Sequence, residues 1–164
     1  MAKKKTKGVS LVGLIFAIVV LAATIISGVS FCLDLFKIDV NIKQLETIIK
    51  IQDLGFDRGE EIFFLVSWII GLVGLFVALV GEAGKVFKKN VNYIIIIGSL
   101  IALVGGVLEI IAGYNYVKFL NDTFNNPIYV PTITVEIGVW LSSIAGIGGG
   151  LFGLLSCTDR KSVV

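Results

Sequence analysis

Two carboxylates on either side of a short polar loop are the residues of this sequence best placed for chemistry. Glu109 lies a few residues before the loop, 115–132, and Glu136 lies a few residues after it. The flanking apolar segments cross a bilayer in opposite directions, so the two acids should lie at similar depth near one membrane face. An ionisable side chain there is costly unless it is paired or hydrated. We therefore predict an intramembrane acid pair.

Two roles for this pair follow from its chemistry. In the first, Glu109 and Glu136 are structural, because they bond to nearby tyrosines or loop backbone, or share one proton when two close carboxylates cannot both ionise. In the second, they bind a cation or a proton on its path through the membrane. Against the second role, no acid lies at mid-membrane in the predicted hairpin, and both prolines, Pro127 and Pro131, fall in the loop.

The rest of the sequence argues against catalysis and metal binding. It contains no histidine, and its two cysteines, Cys32 and Cys157, fall near opposite membrane faces, too far apart for a disulfide. Without a Cys/His cluster a transition-metal site is not expected. The apolar spans also lack the convergent polar groups that an active site requires. We predict a protein that is not an enzyme and uses no metal and no cofactor.

The composition is that of an integral membrane protein. Hydrophobic residues make up 56% of the 164 residues, charged residues 16%, and the mean hydropathy is +0.97, outside the range of soluble domains. A membrane helix needs roughly 20 apolar residues. Four segments meet this requirement: 10–33, 62–80, 93–112 and 133–155. They predict an all-α membrane protein, a single left-handed four-helix bundle with antiparallel neighbours, spanning the cell membrane several times.

The distribution of basic residues predicts the orientation. Nine Lys and Arg flank the spans on the side of both termini and the inner loop, 81–92: Lys3, Lys4, Lys5, Lys7, Lys85, Lys88, Lys89, Arg160 and Lys161. The other side, with the outer loops 36–61 and 115–132, carries five: Lys37, Lys43, Lys50, Arg58 and Lys118. The positive-inside rule therefore places both termini in the cytoplasm. The basic inner rim favours contact with anionic membrane lipids, and nothing in the net charge of +2 suggests nucleic acid.

Small residues four positions apart recur in every predicted span. Such stripes let helix backbones approach closely, which drives helix association in lipid through van der Waals contact. The predicted packing residues are Gly74, Ala78, Ala102, Gly106, Gly146, Gly149, Gly150 and Gly153. They predict a tight bundle without a wide central channel.

The first outer loop has two possible structures. Ile42, Leu45, Ile48 and Ile49 are spaced for one face of a short amphipathic helix at the membrane surface. The alternation from Ile38 to Ile42 fits two or three short strands equally well. Periodicity leaves both alternatives open.

The second half of the chain resembles the third and fourth spans of the claudin and peripheral-myelin-protein superfamily. The residues that carry the resemblance are Gly98–Ala112, Tyr114, Phe124-Asn125-Asn126-Pro127, Val135-Glu136-Ile137-Gly138, Trp140, Gly148-Gly149-Gly150-Leu151 and Cys157. The first outer loop departs from the family pattern, because it has neither the tryptophan nor the cysteine pair. The resemblance implies a four-helix bundle whose outer loops touch a neighbour, with Phe124, Asn125, Asn126 and Pro127 as contact residues.

The carboxyl-terminal residues suggest a further partner. A terminal Val164 with Ser162 two residues before it is the pattern that PDZ domains bind, and many members of the superfamily end in such a valine.

Two functions follow from these observations. The first is a structural or interaction protein that assembles laterally with itself, or serves as a small subunit of a larger membrane complex. The alternative is a small channel, or a cation- or proton-coupled transporter component, that uses Glu109 and Glu136.

Overall fold

Four long apolar helices form the protein. The computed structural model describes residues 11–40, 45–50, 53–87, 91–124 and 132–158. Its helices are α1 (Leu11–Ser30), α2 (Gly59–Val86), α3 (Asn92–Thr123) and α4 (Ile137–Thr158). Each is long and apolar enough to cross a membrane, where a helix satisfies all its backbone hydrogen bonds internally. The predicted four-helix membrane fold is therefore confirmed.

Two helices extend well beyond their predicted ends. The sequence predicted the end of α3 at residue 112 and the end of α2 at residue 80, but the helices continue to Thr123 and Val86. The 32 residues of α3 give a length of about 48 Å at ~1.5 Å per residue, whereas hydrocarbon is ~30 Å thick. The prediction failed because it ended each helix at its first polar residues, although polar side chains do not prevent a helix from continuing into water.

Three short strands form a sheet at one end of the bundle, and the third occupies residues that the sequence had assigned to the start of the fourth span, so α4 begins later than predicted. They are β1 (Phe36–Val40), β2 (Leu45–Ile49) and β3 (Thr132–Val135), and they form an antiparallel sheet in the order β2-β1-β3. Phe36 lies opposite Ile49 on one side and Val135 on the other. The strand alternative for the first outer loop is therefore correct, and the amphipathic helix is wrong. We call the end of the bundle that carries this sheet the outer end, and the opposite end the inner end.

The four helices form a ring, in which each helix packs on the next along the chain and α4 packs back on α1. The most extensive contact joins α2 to α3, followed by α3 with α4, α1 with α4, and α1 with α2. Glycines bring the backbones of α2 and α3 together: a Cβ atom on Gly74 would lie 2.7 Å from Cα of Ala102, and one on Gly98 would lie 2.8 Å from Cα of Ala78. These approaches are closer than real Cβ contacts, so only glycine fits at both positions.

An aromatic cluster fills the space beneath the sheet. Leu35 and Phe36 are fully buried, and Phe36 packs edge-on against Phe64 with ring centroids 5.4 Å apart. Phe31 stacks on Trp68 at 3.9 Å, and the Trp68 indole N–H donates to the Ser27 carbonyl at 3.0 Å. The sheet is thus anchored to the helices by apolar packing.

Candidate functional site

Glu109 lies buried between α3 and α4. Only 2% of it is exposed, and its Oε1 accepts a hydrogen bond from the Ser142 hydroxyl. The Ser143 hydroxyl is also close to this carboxylate but has no hydrogen-bond partner. The close contact of the two helices one turn away makes this arrangement possible, because a Cβ on Gly106 would lie 2.8 Å from the Ser143 carbonyl oxygen.

Glu136 lies at the junction of β3 and α4 and has different partners. Its Oε1 accepts a hydrogen bond from the Thr134 hydroxyl at 3.1 Å, and its backbone N–H donates to the Leu35 carbonyl at 2.8 Å. Ser142, the partner of Glu109, is six residues further along α4, or about 9 Å of helix rise.

The hydrogen bonds thus give Glu109 and Glu136 different partners, Ser142 for the first and Thr134 for the second, and the acid pair stays a prediction. Because α3 continues to Thr123 and α4 begins only at Ile137, the turn lies much farther from Glu109 than the sequence suggested.

A second buried polar cluster lies at the inner end, where the sequence predicted a solvated loop. Glu82 is fully buried, and its Oε1 accepts a hydrogen bond from the Ser156 hydroxyl of α4. Lys85 is 5% exposed, and its ammonium donates to the Ser156 carbonyl and interacts electrostatically with Glu82. The Glu82 Oε2 atom is buried without a hydrogen-bond partner. Lys85, counted as a flanking base in the orientation argument, is thus part of the bundle interior.

Sequence reasoning missed this cluster, although one signal pointed to it. Glu82 lies four residues after Ala78, and therefore continues the small-residue stripe of α2 that faces the other helices. The helical periodicity, continued past residue 80, places Glu82 on the buried face.

A third buried acid, Glu61, lies at the outer end, at the last position of the predicted outer loop 36–61. Its Oε2 accepts the backbone N–H of Phe56 at 2.8 Å, and its Oε1 accepts the Tyr116 hydroxyl of α3 at 3.3 Å. Phe56 has a φ of 54°, a left-handed conformation that costs free energy for a bulky residue, and the bond to Glu61 helps to stabilise it. All three buried acids thus accept a hydroxyl from a neighbouring helix.

The predicted packing residues lie at helix contacts. Gly74, Ala78 and Ala102 lie between α2 and α3, as described above. The α3–α4 contact contains Gly106, Gly146, Gly150 and Gly153. A Cβ on Gly146 would lie 3.2 Å from Cα of Gly106. A Cβ on Gly150 would lie 2.7 Å from the Ser99 carbonyl oxygen, and one on Gly153 would overlap the Ser99 hydroxyl.

Gly149 differs from these residues because it faces two other helices. A Cβ there would overlap the Leu75 side chain of α2 and would lie 2.8 Å from Cβ of Ala23 in α1. Its neighbour Gly148 has open space where its Cβ would be. The glycine triplet thus has one member, Gly148, that is not required by packing within the chain.

Several predicted contact residues have little or no described structure. Phe124 is 50% exposed and follows the end of α3, where its N–H donates to the Leu120 carbonyl at 2.9 Å. Asn125, Asn126 and Pro127 lie outside the described residues, as do Ser162 and Val164.

The chemistry available in this bundle is that of paired carboxylates and hydroxyls. Among the described residues, no group of three or more His, Cys, Asp or Glu could hold a metal ion. A carboxylate that accepts a hydroxyl inside a membrane links two helices, because an unpaired polar group there is strongly unfavourable.

Comparison with known proteins gives no family assignment. No protein-family model matches the chain, and no curated protein matches it. The relation to the claudin superfamily stays a prediction from the residues.

Proposed function

We propose that this protein is a structural membrane protein without enzymatic activity, which assembles laterally with itself or as a small subunit of a larger membrane complex. The main support is the use of its buried polar groups. Glu61, Glu82 and Glu109 each accept a hydroxyl from a neighbouring helix, and the α2–α3 and α3–α4 backbones are in contact at glycines. Such a bundle is suited to hold a fixed shape in lipid.

The outer sheet is the surface that we propose contacts partners. Its central strand β1 pairs on both sides, so β2 and β3 are the edge strands among the described residues. Edge strands present unpaired backbone groups that can add a strand from another chain. Ile48 on β2 is 45% exposed, which gives this edge an apolar side chain for a neighbour. A claudin-like role, with outer loops touching an adjacent subunit, fits this arrangement.

The size of the complex extracted from its native membrane tests this proposal. The protein would be extracted with its surrounding lipid into polymer nanodiscs, and the particle mass would be measured. We expect several protein chains per particle, and a smaller complex for Ile48→Lys, which puts a charge at the β2 edge.

The matched control for this variant is Asn121→Lys, which adds the same charge at an exposed position of α3. Its complex should keep the mass of the unchanged protein. A single chain with no other protein in every particle would contradict the proposal, and equal masses for both variants would argue against the β2 edge.

A second candidate function is a small channel or a cation- or proton-coupled component. Glu109 and Glu82 favour it, because they are buried titratable groups and one Glu82 oxygen has no hydrogen-bond partner. Flux into liposomes separates the two functions. Gradient-driven flux that is lost in Glu109→Gln, Glu136→Gln or Glu82→Gln would support transport, whereas no flux in any of these proteins supports the structural role.

A further inference from the structure

A groove of about 460 Å³ lies at the outer end between the start of α2 and the last turns of α3. On α3 it is lined by Asn115, Lys118, Phe119 and Asp122, whose spacing of three and four residues places them on one helical face. On α2 it is lined by Glu60 and Phe63. The groove is therefore built by two packed helices and not by a loop.

The position of the groove corresponds to the lipid headgroups. Asn115 comes 23 residues after Asn92, the first residue of α3, which is about 35 Å of helix at ~1.5 Å per residue. A hydrocarbon layer ~30 Å thick that begins at Asn92 therefore ends before Asn115, and Asp122 lies further out. Phe63, one turn into α2 and 36% exposed, lies at the boundary with the acyl chains.

The polar side chains of the groove are unpaired within the part of the chain that the structure describes. Glu60, Asn115, Lys118 and Asp122 have no hydrogen-bond or ion-pair partner among the described residues. This distinguishes them from Glu61, the neighbour of Glu60, which has both carboxylate oxygens bonded. The Arg58 guanidinium, 5.1 Å from the Phe119 ring centroid, adds a second cation beside the groove.

The lining of the groove thus offers two carboxylates, Glu60 and Asp122, and one cation, Lys118, and the Arg58 guanidinium lies beside it against Phe119. We propose that it binds the headgroup of a zwitterionic phospholipid that carries a primary ammonium. In this arrangement Lys118 and Arg58 interact with the phosphate, and Glu60 and Asp122 accept hydrogen bonds from the ammonium.

The charges also determine which lipids bind less well. A quaternary ammonium has no N–H to donate to Glu60 and Asp122 and depends on open aromatic faces; Arg58 already lies over the Phe119 ring, which leaves Phe63 as the other ring in the lining. A net-anionic headgroup that lacks an ammonium would leave Glu60 and Asp122 facing a negative ligand. The predicted order of affinity is therefore phosphatidylethanolamine first, with phosphatidylcholine and phosphatidylglycerol weaker.

Native mass spectrometry of the full chain in detergent tests this inference. The protein would be titrated with phosphatidylethanolamine, phosphatidylcholine and phosphatidylglycerol of identical acyl chains. We expect phosphatidylethanolamine to bind roughly fivefold or more tightly than the other two, since a few exposed charge-assisted contacts distinguish them. The variant Glu60→Gln with Asp122→Asn should bind all three lipids alike.

Two further variants complete the experiment. Lys118→Gln should weaken all three lipids by a similar factor, because every phospholipid has the phosphate. Glu136→Gln removes an acid at the same end of the bundle but outside the groove, and should leave the preference unchanged.

Equal binding of the three lipids to the unchanged protein would overturn the inference, as would a phosphatidylethanolamine preference that survives in the double variant. If the double variant does not fold, unchanged binding to Lys118→Gln overturns it.

Discussion

The Ser142 hydroxyl of α4 donates a hydrogen bond to the buried Glu109 carboxylate of α3. This contact explains why an acid is tolerated in an apolar helix: a neighbouring helix supplies a hydrogen-bond donor to its carboxylate. It also couples the register of α3 to that of α4, because a rotation or a shift of either helix would break the bond. The same relationship joins Glu82 to Ser156 and Glu61 to Tyr116.

We expect Ser142→Ala to destabilise the bundle, because it leaves the buried Glu109 oxygen without its donor. The expected loss in the free energy of unfolding is about 1–2 kcal/mol. Unfolding in mixed detergent, followed by circular dichroism, measures it. Thr158→Ala is the control, since that hydroxyl on the same helix is exposed and bonds only to the Leu155 carbonyl. Equal stability of the two variants would show that the Glu109 contact contributes nothing.

The α2–α3 contact gives a prediction about backbone packing. A Cβ on Gly105 would overlap the backbone of Gly71 and would lie 2.9 Å from the Ile70 carbonyl carbon, whereas a Cβ on Gly148 would meet open space. Gly105→Ala should therefore force the helices apart and lower stability by roughly 1–3 kcal/mol. Gly148→Ala should leave stability unchanged or raise it by about 0.5–1 kcal/mol. The detergent melt compares them directly, and a larger loss for Gly148→Ala would refute the packing that we describe.

The inner cluster predicts strong coupling between Glu82 and Lys85. Lys85→Met removes the cation and leaves the Glu82 carboxylate buried beside a hydroxyl alone, at a cost of roughly 3–5 kcal/mol. Adding Glu82→Gln to Lys85→Met should recover much of this loss, because no buried charge then remains. A double-mutant cycle on the free energy of unfolding measures the coupling. Additive effects of the two single substitutions would mean that the two side chains act independently.

The outer end offers a matched pair of tyrosines. Tyr116→Phe should destabilise the protein by about 0.5–1.5 kcal/mol, because the buried Tyr116 hydroxyl donates to Glu61. Tyr114→Phe should have little effect, since Tyr114 is 56% exposed and packs edge-on against Trp140 through its ring. Thermal unfolding followed by tryptophan fluorescence is a suitable measurement, because Trp68 lies in the adjoining aromatic cluster. A reversed order of the two effects would contradict the bond to Glu61.

The sequence alone determined the four helices and their membrane location. Hydropathy is a property of a continuous segment. In lipid, an apolar segment of sufficient length forms a helix because the helix satisfies all of its backbone hydrogen bonds. The stripes of small residues are also a local property of the sequence. A helical period of 3.6 residues places Gly74 and Ala78 on one face, whichever helix packs against it.

The tertiary structure alone decided the partners of the polar residues. Phe36 pairs with Val135 across 99 positions of the chain, and no local pattern could specify this strand pairing. Likewise, Glu109 accepts a hydrogen bond from Ser142, 33 positions away, and Lys85 is buried instead of solvated. These outcomes depend on where each helix ends and how far it is rotated against its neighbours. Both are set by the packing of whole helices, to which any one residue contributes only a small part of the free energy.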